Sequence, residues 1–195
     1  MSGFSVHSPA QRGAPPLQTK AQLGALANIA PDGSFEGYAA LFGRVDLGRD
    51  LILPGAFARS LAERGVGGVR MLFQHDPAEP IGFWTSLTED SLGLQVKGQL
   101  TLDVARAREV LALMRAGAID GLSIGFRTVE GRTDPRTRVR RLSHIDLWEV
   151  SIVTFPMQPE ARIASVKRAG DTLATAIRRG ARRLRGLPGL RPVVG

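Results

Sequence analysis

A mostly β fold of mixed α+β type, with one sheet closing into a barrel and a few short helices around it, is what this sequence predicts. Three observations carry that reading. Apolar runs of strand length recur along the chain between Gly, Pro and Asp turn residues. Before residue 167 only two segments show apolar spacing of three and four residues, and both are short. Six or more strands would leave edges that need protection, and closure removes them.

Met1–Lys20 is rich in Ser, Pro, Gln and Gly without apolar periodicity, and reads as a mobile arm. The body begins near Ala21. Phe35–Phe42 reads as a strand with aromatic and small apolar residues between Gly37 and Gly43, followed by the turn-rich acidic stretch Val45–Asp50. Pro54 suits a first helical turn, and Phe57, Leu61 and Ala62 continue at helical spacing until Gly65. Val69–His75 is an apolar strand turning at Asp76-Pro77. Ile81–Leu87 and Leu92–Leu100 follow as strands around a Glu89-Asp90-Ser91 turn. Asp103 is placed to cap a helix whose stripe is Val104, Ala107, Val110, Leu111 and Met114, ending at Gly117. Ser123–Val129 and Val139–Ser143 read as strands flanking the polar loop Glu130–Arg138. Ile145–Phe155 is apolar on both alternating faces, as in a central strand, with Trp148, Val150 and Ile152 on one face and Leu147, Glu149, Ser151 and Val153 on the other. Pro156 and Pro159 end it. A basic, weakly amphipathic helix over Asp171–Arg185 closes the pass.

The 195 residues suit one ordinary domain, flanked by the arm at 1–20 and a basic tail at 167–195, with the body spanning 21–166. There is no cysteine, which removes disulfides, Cys-ligated zinc and a cysteine nucleophile together, and fits a reducing compartment. No apolar run approaches the ~20 residues that span a bilayer, and no signal segment opens the chain, so a soluble cytoplasmic protein without a membrane partner is expected. The formal net charge is +8, but from Lys167 onward eight basic residues face the single acid Asp171, which leaves the other 166 residues almost neutral. A nucleic-acid role is therefore confined to weak binding through the tail. No phosphate-cradling glycine loop is present, and Asp46, Asp50, Glu89, Asp90 and Asp103 lack metal-ligand spacing, so no cofactor and no metal is expected.

Gly121-Leu122-Ser123-Ile124-Gly125 matches the pattern in which flanking small residues let a serine hydroxyl stand clear of a tight turn. The long strand-helix alternation of an α/β-hydrolase is absent. The alternative is a pair of strand-end glycines around an ordinary serine. Since His7 lies in the arm, a histidine base for Ser123 must be His75 or His144. Glu149 is a carboxylate inside an apolar run, and burying it unpaired would cost several kcal/mol, so it requires a partner. An arginine partner would be structural. A histidine partner would make His75, Ser123 and Glu149 a base, nucleophile and orienter.

Five ordered stretches together resemble the prohead (capsid maturation) proteases of HK97-type tailed bacteriophages and related gene transfer agents. They are Phe35–Phe42 with Glu36-Gly37-Tyr38-Ala39, Asp46 with Asp50–Phe57, Leu72-Phe73-Gln74-His75-Asp76, Gly121–Phe126, and Leu147–Pro156. The resemblance covers about Gly33–Ala161. It implies a herpesvirus-assemblin-like closed β-barrel and a serine endopeptidase that cleaves capsid or scaffold protein inside an assembling prohead, with self-processing. An inactive assembly protein of the same fold is the alternative. It implies the major capsid protein or its scaffold segment as partner, and leaves a homo-oligomer open. Carried over, the nucleophile falls on Ser123 and the general base on His75. The third member is placed on Glu149, with His144 as competitor, because distant herpesvirus relatives use a second histidine, and Asp146 as third choice.

Overall fold

The computed structural model describes residues 29–164. The arm, the basic tail and the expected helix over Asp171–Arg185 lie outside the described residues. Eight strands and two α-helices follow in the order β1 (Ser34–Leu41), β2 (Asp50–Ile52), α1 (Ala58–Arg64), β3 (Arg70–Phe73), β4 (Asp76–Glu89), β5 (Gly93–Leu100), α2 (Ala105–Arg115), β6 (Gly121–Thr133), β7 (Arg140–Val153) and β8 (Ile163–Ala164). Among the described residues no helix is long and apolar enough to cross a membrane.

The strands form one sheet in the order β2-β7-β3-β4-β5-β1-β8, with β6 also paired to β7. β7 is the spine. β6 runs antiparallel along its whole length, while β2 and β3 pair parallel with its first and second halves, Asp50–Ile52 against Arg140–Leu142 and Arg70–Phe73 against Glu149–Ile152. The sheet curls until residues beside β8 reach β6. There Gly121 and Arg162 form an isolated bridge, Leu122 N–H donates to the Ala161 carbonyl, and Ile163 N–H donates to that of Asp120. A two-residue β8 makes too short a ladder to join the ends by a strand pair. The expected closed barrel is therefore seen as a mostly β, open and curled sheet with two helices.

Its concave side holds the core, including Phe35, Met71, Ile81, Leu94, Leu122, Ile145, Leu147 and Ile152, each nearly or fully buried. Phe35 and Trp84 meet edge to face at 5.7 Å between ring centroids. Burying each such side chain is worth roughly 1.5–3 kcal/mol. The α2 stripe Ala107, Val110, Leu111 and Met114 is buried as the periodicity predicts, whereas Val104 stays exposed as the N-cap. Asp103 does not cap: the first turn has no side-chain cap bond. The shorter helix starts at Ala58 rather than at Pro54, because Ala56 N–H and Ala58 N–H close tight turns onto Leu53 and Gly55 before helical pairing starts.

The strands differ from the sequence reading in three places. β2 is unforeseen, since three residues carry no period; Asp50, 8% exposed, anchors it by receiving Arg140 Nε and Nη2 on its two carboxylate oxygens at 2.7 and 2.6 Å. β6 and β7 make one long hairpin whose connection shrinks to the turn at Asp134, where Oδ1 accepts the N–H groups of Arg136 and Thr137. The strand expected over Val69–His75 ends at Phe73. Phe73 pairs with Asp76, so the turn consists of Gln74 and His75, and Asp76-Pro77 already belong to β4.

Candidate active site

β7 places the acid. Gly125 pairs with Glu149 and Phe126 with Leu147, so Trp148 is an extra residue on β7, a bulge that reverses the alternation. Leu147 therefore points into the core with Val150 and Ile152, while Glu149 and Ser151 face the other way. The expected sharing of one face by Leu147 and Glu149 is thus corrected. The bulge is what allows a carboxylate two residues after a core leucine to leave the core.

The β3–β4 turn places the histidine. Gln74 and His75 both have left-handed backbones, with φ of 55° and 61°. A two-residue hairpin loop with positive φ at both positions matches the strand twist but favours Asn and Gly, and each larger residue held there costs about 1 kcal/mol or more. The turn is restrained from β7 and the residue just past its end. Gln74 N–H donates to the Ile152 carbonyl at 3.0 Å, Gln74 Nε2 to Thr154 Oγ1 at 2.7 Å, and His75 N–H to Ser151 Oγ at 3.1 Å.

These restraints bring His75 Nδ1 to 2.6 Å from Glu149 Oε1. The side chain of Glu149 is 12% exposed and that of His75 41%. With a carboxylate at Nδ1 the neutral ring carries its proton there, and Nε2 is free to accept. The second carboxylate oxygen, Oε2, accepts the Ser151 hydroxyl at 2.7 Å. The partner that a half-buried Glu149 requires is thus a histidine and a serine, not an arginine.

β6 places Ser123. It pairs directly with Ser151, as Gly125 does with Glu149, so Ser123, Ser151 and Glu149 lie on one face of the β6–β7 ladder. Ser123 is 4% exposed. Among the described residues no hydrogen bond joins it to His75; the structure brings His75 and Glu149 into contact and sets Ser123 one strand away. Catalytic hydrogen bonds are often long before substrate binds. Ser123 lies within a regular strand, not on a tight turn, and its glycines serve neighbours. A Cβ on Gly121 would come within 2.5 Å of the Val153 carbonyl, and one on Gly125 within 2.1 Å of Glu149 Oε1. Gly125 makes room for the Glu149 carboxylate rather than for the Ser123 hydroxyl.

His144 and Asp146 belong to a different place. They line a depression of about 250 Å³ with Ser60, Arg64, Arg127 and others, beside α1. His144 is five residues from Glu149, roughly 15 Å along the strand. Asp146 accepts Trp148 Nε1 and Arg64 Nε, at 2.8 and 2.9 Å; the indole N–H bond first, then the guanidinium, holds its carboxyl below the usual range. Sequence reading gave Ser151, Gln74 and Thr154 no role of their own. The signal for Ser151 was present, because residues two apart on a strand share a face.

Chemically, this is a carboxylate-oriented imidazole beside a serine on a curled β-sheet. A 137-residue stretch is 41% identical to the prohead protease of Enterobacteria phage HK97, covering 69% of this chain and 60% of that protein. The prohead protease of Escherichia phage T5 is 29% identical over 91 residues, covering 47% of this chain and 42% of the relative. The chain thus spans less than two-thirds of the length of either relative in these matches. Among solved structures, the capsid assembly protease of bacteriophage T4 shares the fold with a TM-score of 0.53 at 13% identity, covering 62% of this chain and 80% of that one. Residues 20–175, which include every strand and helix described above, match the Caudovirus prohead serine protease family, and the chain belongs to that family.

Proposed function

We propose that this chain is a serine endopeptidase of prohead maturation, with Ser123 as nucleophile, His75 as general base and Glu149 as orienter. The observation that carries the proposal is the 2.6 Å contact between His75 Nδ1 and Glu149 Oε1, with Glu149 on the same ladder face as Ser123. As Ser123 Oγ attacks the scissile carbonyl carbon, its proton passes to His75 Nε2, and the carbonyl electron pair moves to oxygen. The tetrahedral intermediate collapses to an acyl-serine as Nε2 returns that proton to the leaving amine. Water, deprotonated by the same nitrogen, then releases the acid and restores Ser123. Glu149 stays ionised and stabilises the imidazolium at each transfer.

The capsid or scaffold protein of an assembling particle is the substrate class that the relatives support, and the particle interior is the place of action. The protease unit is assigned to residues 21–166, with the arm and the basic tail outside it. The assemblin-like closed barrel belongs to the same proposal, supported by the bridge between Gly121 and Arg162. The test is co-expression with the capsid protein of the same particle. The wild type should shorten it, and Ser123→Ala or His75→Ala should lower cleavage by several orders of magnitude in folded protein, because such groups act as a unit. Near-normal cleavage by folded Ser123→Ala would refute the assignment.

A further inference from the structure

One fully buried hydroxyl links the acid to the base and is used by neither chemical step. Ser151 Oγ donates to Glu149 Oε2 at 2.7 Å and accepts the backbone N–H of His75 at 3.1 Å. Glu149 therefore divides its carboxylate, Oε1 to the imidazole and Oε2 to Ser151. Ser151 also occupies the middle of the three strands concerned. It pairs with Ser123 on β6 to one side and with Leu72 on β3, the strand that leads into the His75 turn, to the other.

The two bonds restrain different freedoms. A carboxylate held through one oxygen can rotate about its last torsion and swing that oxygen out of the plane of the ring; held through both, it cannot. His75 stands on a left-handed backbone that a non-glycine residue leaves readily unless contacts retain it, and its own N–H is retained by Ser151. Loss of the hydroxyl would free the acid and the base together and take from the His75 backbone N–H its partner. Ser151 cannot itself replace Ser123 as the attacking group, because its one proton is given to Glu149 Oε2 and it has no exposed surface.

We propose that Ser151 is a positioning residue that sets the orientation and tautomer of His75 by fixing the Glu149 carboxylate and the His75 backbone at once. The proposal rests on the serine-protease reading above. The test uses the full chain with Ser151→Ala and Ser151→Thr, and Ser123→Ala as the blank. A fluorophosphonate is the first probe: Ser123 Oγ forms a bond to phosphorus, fluoride leaves, and the hydroxyl proton goes to His75, so the labelling rate followed by intact mass reads the activated serine. Ring-nitrogen NMR on ¹⁵N-histidine protein, assigned with His75→Ala, is the second. In mildly alkaline buffer the wild type should carry its ring proton on Nδ1.

Ser151→Ala should lower the saturated labelling rate about 10- to 100-fold, as misplacement of a reacting group by about an ångström does, while the half-saturating probe concentration holds. Its His75 spectrum should shift towards the Nε2–H tautomer that an unrestrained histidine side chain prefers. Ser151→Thr, which keeps the hydroxyl, should recover most of the rate and the wild-type spectrum. Should Ser151→Ala fail to fold, Ser151→Cys, nearly isosteric with a weak donor, carries the same expectation. Wild-type labelling and an unchanged His75 spectrum in a folded Ser151→Ala or Ser151→Cys variant would overturn the proposal. Failure of the wild type to label would instead refute the serine-protease reading, and the ring spectrum, which needs no turnover, would still decide the role of Ser151.

Discussion

Gly125→Ala should separate the proposed peptidase activity from stability. The backbone of Gly125 is not left-handed, so alanine fits its conformation and should even gain about 0.5–1 kcal/mol from a stiffer unfolded chain. The obstacle is Glu149. The new Cβ would lie 2.1 Å from Oε1, 2.8 Å from Cδ and 2.9 Å from Cγ, where ordinary contact begins near 3.4 Å. Oε1 must retreat by about 1.3 Å, and the 2.6 Å bond to His75 Nδ1 cannot survive that shift in line. A displacement of this size costs about 10²-fold, and complete loss of the orienting carboxylate about 10⁴-fold. The expected fall in capsid-protein cleavage and fluorophosphonate labelling is thus 10²- to 10⁴-fold, about 3–5 kcal/mol of barrier. Thermal unfolding should move little, and the control Gly67→Ala, whose added Cβ would touch nothing within 4 Å, should be silent in both assays. Combining Gly125→Ala with Glu149→Gln should cost scarcely more than Glu149→Gln alone, because both remove one interaction. A folded Gly125→Ala protein within threefold of wild-type activity would refute the role given to Glu149, since the carboxylate could not have kept its place.

Further outcomes follow from the same geometry. Glu149→Gln should impair cleavage far more than His144→Ala, because a neutral amide cannot stabilise the imidazolium and His144 lines the depression beside α1; a greater loss from His144→Ala would move the role there. Asp146→Asn should lower the unfolding temperature at neutral pH with little effect on catalysis. The Asp146 carboxyl lies below its ordinary value of 3.8 in the folded protein, chiefly through the Trp148 indole and then Arg64, so its stabilisation is present above that value and is lost as pH falls through the lower folded one. The deficit of Asp146→Asn, read from melting curves across pH, should therefore persist from pH 8 to 5 and shrink below about 4; a deficit that grows in acid would contradict this. A variant ending at Val166 should fold and label normally, while its incorporation into particles tests delivery by the basic tail; wild-type incorporation that weakens with added salt would mark that contact as electrostatic.

Much of this protein was legible from local pattern. Period-two and period-3.6 spacing located β1, β5, the α2 stripe and the central run that became the second half of β7, because those periods reflect burial of one face of each element. The rarity of histidine, and the need of Glu149 for a partner, narrowed the candidate chemistry to a few side chains. What the chain alone left open depended on register between distant segments. His75 and Glu149 are 74 residues apart, and their contact exists because β3 pairs parallel with the second half of β7. The bulge at Trp148, which turns Glu149 out of the core, arises from a mismatch with β6 that the alternation of β7 does not reveal. Gly125 reads as a nucleophile glycine until the opposite strand places a carboxylate against it. The left-handed turn at Gln74-His75 is invisible to propensity, which disfavours it, and persists because Ser151 and Ile152 of β7, and Thr154 just past its end, hold it. Local sequence encodes which face each element buries; only tertiary pairing decides which side chains meet, because a shift of one residue in register or one bulge moves every later side chain to the opposite face.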